Sequence, residues 1–281
     1  MGRERDEMTD CRSIKALKQA DTLAHRVYDA AVCGEADKSF SDIFFTSLEI
    51  SQLQNTLQYN FKNQAILVRA FTHSSFVHEY SKDIKSYERL EFLGDSIVGT
   101  FVSQKLFESF EDFSEGKLSK LKSALVNEET LSEIANILKL EDLVLRGKGE
   151  LKESLTNSIL CDVLESMIGA ISIDSSIGEA FKVLERLVTI YETETKTSFF
   201  SEKRLFMFDP KSTLQEYTMK NFGDLPKYVA KRDGDKFRVE LWIEGKKCCE
   251  TTNISKKNAM KEVAYKFLNQ LDNNIQGVKQ C

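Results

Sequence analysis

Two apolar stretches of this chain carry carboxylates at helical spacing, with nothing basic on the same face. The first reads Tyr87-Glu88-Arg89-Leu90-Glu91-Phe92-Leu93-Gly94-Asp95-Ser96-Ile97-Val98. At about 100° per residue, Glu88, Glu91 and Asp95 fall within an arc of roughly 60°. The second reads Ile159-Leu160-Cys161-Asp162-Val163-Leu164-Glu165-Ser166-Met167-Ile168-Gly169-Ala170-Ile171, with Asp162 and Glu165 neighbours at i, i+3. Buried anions without counter-charge are too costly to persist. A bound hard divalent cation removes that cost, and it points to metal-dependent chemistry.

Acids at this spacing are also the ordinary pattern of a solvated helix face, in a chain of which 30% is charged. The flanking residues argue for the first reading. Val98 and Val102 continue the face of Glu91 and Asp95, while Leu90, Leu93, Ile97 and Phe101 fill the opposite side. The first helix is therefore expected to be apolar almost all round and buried. The second helix repeats the pattern, so a metal site shared between the two is the expectation.

The elements that must position these acids are helical. Residues 1–209 contain no proline, and Pro210 and Pro226 both lie in the last quarter. Leu118, Leu121 and Leu125, then Leu131, Ile134 and Leu138, read as helix faces on either side of Asn127-Glu128-Glu129-Thr130. Gly147-Lys148-Gly149 marks a loop, and Ser158 is the expected N-cap of the second acidic helix. Residues 180–191 close this body. A polar stretch over 192–207, broken by Phe199 and Phe200, reads as a linker. The pattern then changes to a helix at 213–221 and strands at 228–230, 237–243 and 247–251. Asp233-Gly234-Asp235 and Glu244-Gly245 serve as turns, and an amphipathic helix follows at 255–271. That order is an α+β module. Ile14, Leu17, Ala24, Val27 and Ala31 form one helical stripe, expected to pack on a neighbour and assigned no function.

With 281 residues, 41% of them hydrophobic, the chain can bury a real core in one or two domains. A net charge of −5 argues against a general nucleic-acid binder. The average hides an asymmetry. Residues 209–271 hold 13 Lys and Arg against 9 Asp and Glu, or +4, and the remainder holds 26 against 35, or −9. A basic module thus follows an acidic body. The six cysteines include no CxxC and none beside a His pair, so no zinc site is expected from their spacing, and Cys161 reads as a buried free thiol. The charged start, Met1-Gly2-Arg3-Glu4-Arg5-Asp6, precedes no apolar run, and no stretch is long enough to span a membrane. A reducing cytoplasm is the expected compartment.

Glu88-Arg89-Leu90-Glu91-Phe92-Leu93-Gly94-Asp95 resembles the signature of the ribonuclease III family almost letter for letter. Further similarities follow in order: Phe71-Thr72-His73-Ser74-Ser75-Phe76, Glu115-Gly116-Lys117-Leu118-Ser119, Ala124-Leu125-Val126-Asn127, and Ser158 through Ala170. The resemblance covers roughly residues 48–271. It implies an all-α endonuclease domain followed by a small α-β-β-β-α double-stranded RNA-binding domain. The expected limits are an N-terminal helical extension at 1–48, the nuclease domain at 49–191, a linker at 192–208, the RNA-binding domain at 209–272 and a tail at 273–281.

By the same resemblance, Glu91, Asp95, Asp162 and Glu165 match the family's metal-binding acids, with Asp95 and Glu165 catalytic, while Glu88 and Glu115 are supporting acids. The resemblance implies a two-metal Mg2+ mechanism, with Mn2+ as a substitute and no organic cofactor. It implies hydrolysis of double-stranded RNA to 5′-phosphate and 3′-hydroxyl ends with short 3′ overhangs, in processing of rRNA and mRNA precursors. Phe92 matches a position that packs across a two-fold homodimer interface, although an aromatic on a buried helix is more often core. His73 and His78 are more simply read as capping groups than as acid–base catalysts.

Lys211-Ser212-Thr213-Leu214-Gln215-Glu216-Tyr217 resembles the first helix of the RNA-binding domain, and residues 255–261 resemble the start of its second. The resemblance places Gln215 and Glu216 in the minor groove and Lys256, Lys257 and Lys261 on phosphates. Three departures stand out. The loop at 232–236 is short and lacks Gly-Pro-x-His, residues 249–253 replace a glycine-rich run, and residues 152–157 lack a Gly-Gly-basic run. Each is expected to weaken an RNA contact. The competing reading is a non-catalytic double-stranded RNA-binding relative of the same fold, against which all six acids stand intact.

Overall fold

The computed structural model describes residues 23, 26–27, 40–80, 84–150 and 154–278. Ile14, Leu17, Ala24 and Ala31 of the N-terminal stripe, Lys152 and Glu153 of the altered loop, and the end of the tail lie outside them. The described residues form two compact units. One runs to Asp112 and resumes at Leu125–Phe199, and the other joins Phe113–Ala124 to the residues from Phe200 onward.

In the first unit the chain forms α1 (Phe40–Phe45), α2 (Leu48–Leu57), α3 (Gln64–Ala70), α4 (Ser74–Tyr80) and the long α5 (Glu88–Ser109). Helix α6 (Glu115–Leu125) begins in the second unit. Helices α7 (Glu128–Ile137), α8 (Asn157–Asp174) and α9 (Ile177–Thr195) complete the first. Helix α8 is the centre of this unit. Eleven of the twelve residues from Leu160 through Ile171 are buried, all but Asp162, which is far more than one face of a helix holds. It packs against α5, α7, α9 and α3.

Each end of α8 is tied. Thr156 caps it, its hydroxyl accepting the Ile159 N–H at 3.3 Å, so the cap falls two residues before the predicted Ser158. Both residues carry a suitable hydroxyl, and the sequence alone does not choose between them. At the other end Asp174 accepts the Tyr59 hydroxyl at 2.6 Å and the backbone N–H groups of Lys62 and Asn63 at 2.9 and 2.8 Å. Midway, the Ser166 hydroxyl donates to the Ala70 carbonyl. These bonds fix α8 against the segment leading into α3.

The start of α5 is held by the strand-like segment at Thr72. Thr72 bridges Leu145 in parallel, the His73 N–H donates to the Leu145 carbonyl at 2.9 Å, and the Tyr87 N–H donates to the Thr72 carbonyl at 2.9 Å. Helix α5 is not buried all round, as its composition suggests. Phe92 is 76% and Phe107 75% exposed, and Ser96 and Thr100 between them are exposed too. Its opposite side, with Leu90, Ile97, Phe101 and Leu106, supplies the core.

The second unit holds α10 (Arg204–Phe208), α11 (Pro210–Phe222), β1 (Lys227–Asp233), β2 (Lys236–Ile243), β3 (Lys246–Asn253) and α12 (Lys256–Val278). The strands form one antiparallel sheet in the order β1-β2-β3. Asp233 pairs with Lys236 and Ile243 with Lys246, so both hairpins close with two-residue loops. Glu244 and Gly245 both have positive φ, 49° and 73°, the turn whose twist matches paired strands. Leu214, Val239, Leu241, Ile243, Val263 and Leu268 form the core between sheet and helices. The predicted linker is partly ordered structure of the first unit. There α9 runs on to Thr195, and buried Phe199 packs edge-on to Tyr191 at 5.4 Å.

Candidate active site

Two glycines decide where the acids meet. A Cβ at Gly94 of α5 would lie 1.8 Å from the Glu165 carbonyl oxygen of α8. One at Gly169 would lie 2.1 Å from the Leu90 carbonyl oxygen. The two helices therefore cross with backbone against backbone, a contact that only glycine permits. Glu91 and Asp95 flank one glycine, and Glu165 stands one turn before the other. The crossing carries all three to the same place.

The electrostatics record that convergence. Glu165 is 8% exposed, and its carboxyl is pushed up to about 8, by burial first and then by Asp95, Asp162 and Glu91. Glu91 is raised by burial, then by Asp162, Glu88 and Asp95. Asp162 is raised by burial and by Glu128, and His73 acts in the opposite sense. None of Glu91, Asp95, Asp162 and Glu165 forms an ion pair among the described residues. Four carboxylates thus share one region with no cation of the protein's own. Oxygen donors in that number fit Mg2+ or Mn2+.

Glu128 joins the site from outside the two acidic helices. It sits in the first turn of α7 behind the Asn127 cap, and it belongs to neither acidic helix, so no spacing rule connects it to Asp162. Cys161 went unremarked as a donor. Its thiol lies 3.8 Å from Glu165 Oε1, and Cys161, Asp162 and Glu165 present ligand atoms all within 4.8 Å of one another. His73 serves a local network. Its Nδ1 meets the Ser75 hydroxyl at 2.8 Å and the Glu150 carboxylate at 3.2 Å, and Ser75 Oγ also accepts the Gly147 N–H at 2.9 Å. That network fastens the Gly147-Lys148-Gly149 turn beside the acidic helices.

The remaining predicted residues are placed separately. Glu88 is exposed in the first turn of α5. Glu115 opens α6 in the second unit, accepting the Ser119 hydroxyl at 2.8 Å. Gln215 and Glu216 are exposed on α11, and the Glu216 carboxylate pairs with Lys120 at 2.9 Å. Lys256, Lys257 and Lys261 are exposed in the first turns of α12, and no ion pair engages them among the described residues. The Ser255 hydroxyl accepts the Asn258 N–H at 3.4 Å, and Glu262 holds Thr251 and Asn253 at 2.9 and 3.2 Å. These bonds order the run that stands in place of glycines.

A helical unit with converging carboxylates, followed by an α-β-β-β-α module with lysines at a helix start, defines a nuclease joined to a duplex-RNA-binding module. Comparison with known proteins agrees. The Ribonuclease-III-like model matches residues 63–190, and the double-stranded RNA binding motif matches residues 210–271. Ribonuclease 3 of Syntrophobacter fumaroxidans is 36% identical over 230 residues, 78% of this chain and 93% of that protein. Ribonuclease 3 of Treponema denticola is 37% identical over 223 residues, 77% of this chain and 88% of that protein. The nuclease domain of ribonuclease III from Campylobacter jejuni matches with a TM-score of 0.48 and 39% identity, over 53% of this chain and 99% of that one. The chain belongs to the ribonuclease III family of double-stranded RNA endoribonucleases. Among the described residues, no helix is long and apolar enough to cross a membrane.

Proposed function

We propose that the chain cuts double-stranded RNA with Mg2+, or Mn2+ in its place, held by Glu91, Asp95, Asp162 and Glu165. The observation that carries this reading is the buried Glu165 carboxylate, surrounded by other acids and by no cation. Bound metal would polarise the phosphodiester and make water a competent nucleophile. The chain's own residues do the positioning. Asp162 and Glu165 hold one side of the centre from α8, and Glu91 and Asp95 hold the other from α5. Asp95, exposed on α5, orients the phosphate and water. Glu88, at the exposed start of α5, supports the centre.

The RNA-binding module supplies duplex affinity, with Lys256, Lys257 and Lys261 on phosphates and Gln215 and Glu216 in the minor groove. The protein acts as a homodimer, and the support for this is the exposed Phe92 on an otherwise core-forming helix. Two centres then cut the two strands, leaving 5′-phosphate and 3′-hydroxyl ends with short 3′ overhangs. rRNA and mRNA precursors in the cytoplasm are the substrates.

Asp162→Asn and Glu165→Gln should each abolish cleavage of a long RNA duplex in Mg2+ while leaving duplex binding in EDTA unchanged. Binding lost together with cleavage would count against these roles.

A further inference from the structure

We propose that Cys161, Asp162 and Glu165 together take a thiophilic divalent cation, zinc or cadmium, which displaces the hard cation and silences cleavage. This rests on the metal centre proposed above and deepens it. The three residues lie on one face of α8, at i, i+1 and i+4, with their ligand atoms within 4.8 Å of one another. The decisive distance is 3.8 Å between Cys161 Sγ and Glu165 Oε1. A tetrahedral zinc with bonds of about 2.3 Å to sulfur and about 2.1 Å to oxygen holds those two atoms about 3.6 Å apart. The helix therefore presents a sulfur–oxygen pair already at the required separation.

Glu165 points to a ligand independently. It is 8% exposed, its hydrogen bond is the long one from the thiol, and no Lys or Arg pairs with it among the described residues. Asp162 is only half-buried, which leaves a path for an ion and an open position for water or a phosphate oxygen. Metal choice follows from donor softness. Thiolate favours zinc and cadmium over magnesium, which keeps to oxygen. As the sulfur–metal bond forms, the thiol proton leaves to solvent and nothing is oxidised or reduced. The ion then withholds Asp162 and Glu165 from magnesium. Cysteine spacing rules, built on paired Cys and His, pass over such a mixed set.

The test uses the full chain. Metal-free protein is titrated with cadmium while the ultraviolet thiolate-to-metal absorption is recorded, for the wild type, Cys161→Ser and Cys161→Ala. In parallel, zinc is titrated into duplex cleavage at fixed magnesium, with each protein scaled to its own zinc-free rate. The expected results are a cadmium band that excess magnesium reverses, its loss or reduction in both variants, and a zinc concentration for half-inhibition that rises at least about tenfold in them. Circular dichroism identifies a variant that fails to fold, and Cys161→Ser, nearest in size, then decides. An unchanged band and unchanged zinc inhibition in a folded Cys161 variant would overturn this inference alone. Magnesium-supported cleavage that survives Asp162→Asn would instead overturn the metal centre beneath it.

Discussion

Glu165 is held in an environment that disfavours its own charge. Burial and three neighbouring acids push its carboxyl up to about 8, against about 4.3 in an unfolded chain. Between those values the folded, metal-free protein binds a proton that the unfolded chain does not. The stability from protonated Glu165 is therefore complete below the unfolded value and is lost as pH rises through about 8. In EDTA, the Glu165 contribution to the melting temperature should fall between about pH 4.3 and about pH 8, and Glu165→Gln should flatten that slope. Added Mg2+ should reverse it, because the metal takes the charged form. A melting curve whose pH slope is the same in Glu165→Gln and wild type would show that Glu165 is not the group responsible.

The helix pair explains what sequence could and could not convey. The acids were legible because their spacing is local to each helix. Their meeting is expected from two such helices in one domain, but the means of it is not legible, because it depends on Gly94 and Gly169 touching backbone on the opposite helix. A glycine within a helix announces lost propensity, not what approaches it. Gly94→Ala should destabilise the first unit by about 1–3 kcal/mol or more, since a Cβ meets main chain that cannot move aside. Urea unfolding measures this, and cleavage should fall further than stability alone explains as the acids separate. The character of α5 was misread for a related reason. Phe92 and Phe107 look like core residues by type, and composition does not tell an exposed apolar side chain from a buried one. The strands and turns of the second unit were the most legible, because alternation and Gly-containing two-residue loops are both short-range signals.

On the scale of the whole molecule, Phe92, Ser96, Thr100 and Phe107 form an exposed stripe on α5 and the lysines of α12 are exposed, and the function proposed above makes both sites of association. Phe92→Glu should yield a monomer in sedimentation, with folding retained because the side chain is already outside the core. Replacing Lys256, Lys257 or Lys261 with Ala should weaken binding to all duplex sequences alike. Each should reduce the slope of log affinity against log salt by about 1, as read from binding titrations over a salt series. The N-terminal segment enters at this scale too. Leu23 and Val27 are fully buried, and Arg26 pairs with Glu49 at the start of α2. Anyone trimming the chain to a minimal catalytic fragment by starting at residue 49 would strip those two aliphatic side chains from the interior and orphan the carboxylate they accompany. The shortened enzyme would open a greasy surface to water, so precipitation, not a cleaner preparation, is what such pruning invites.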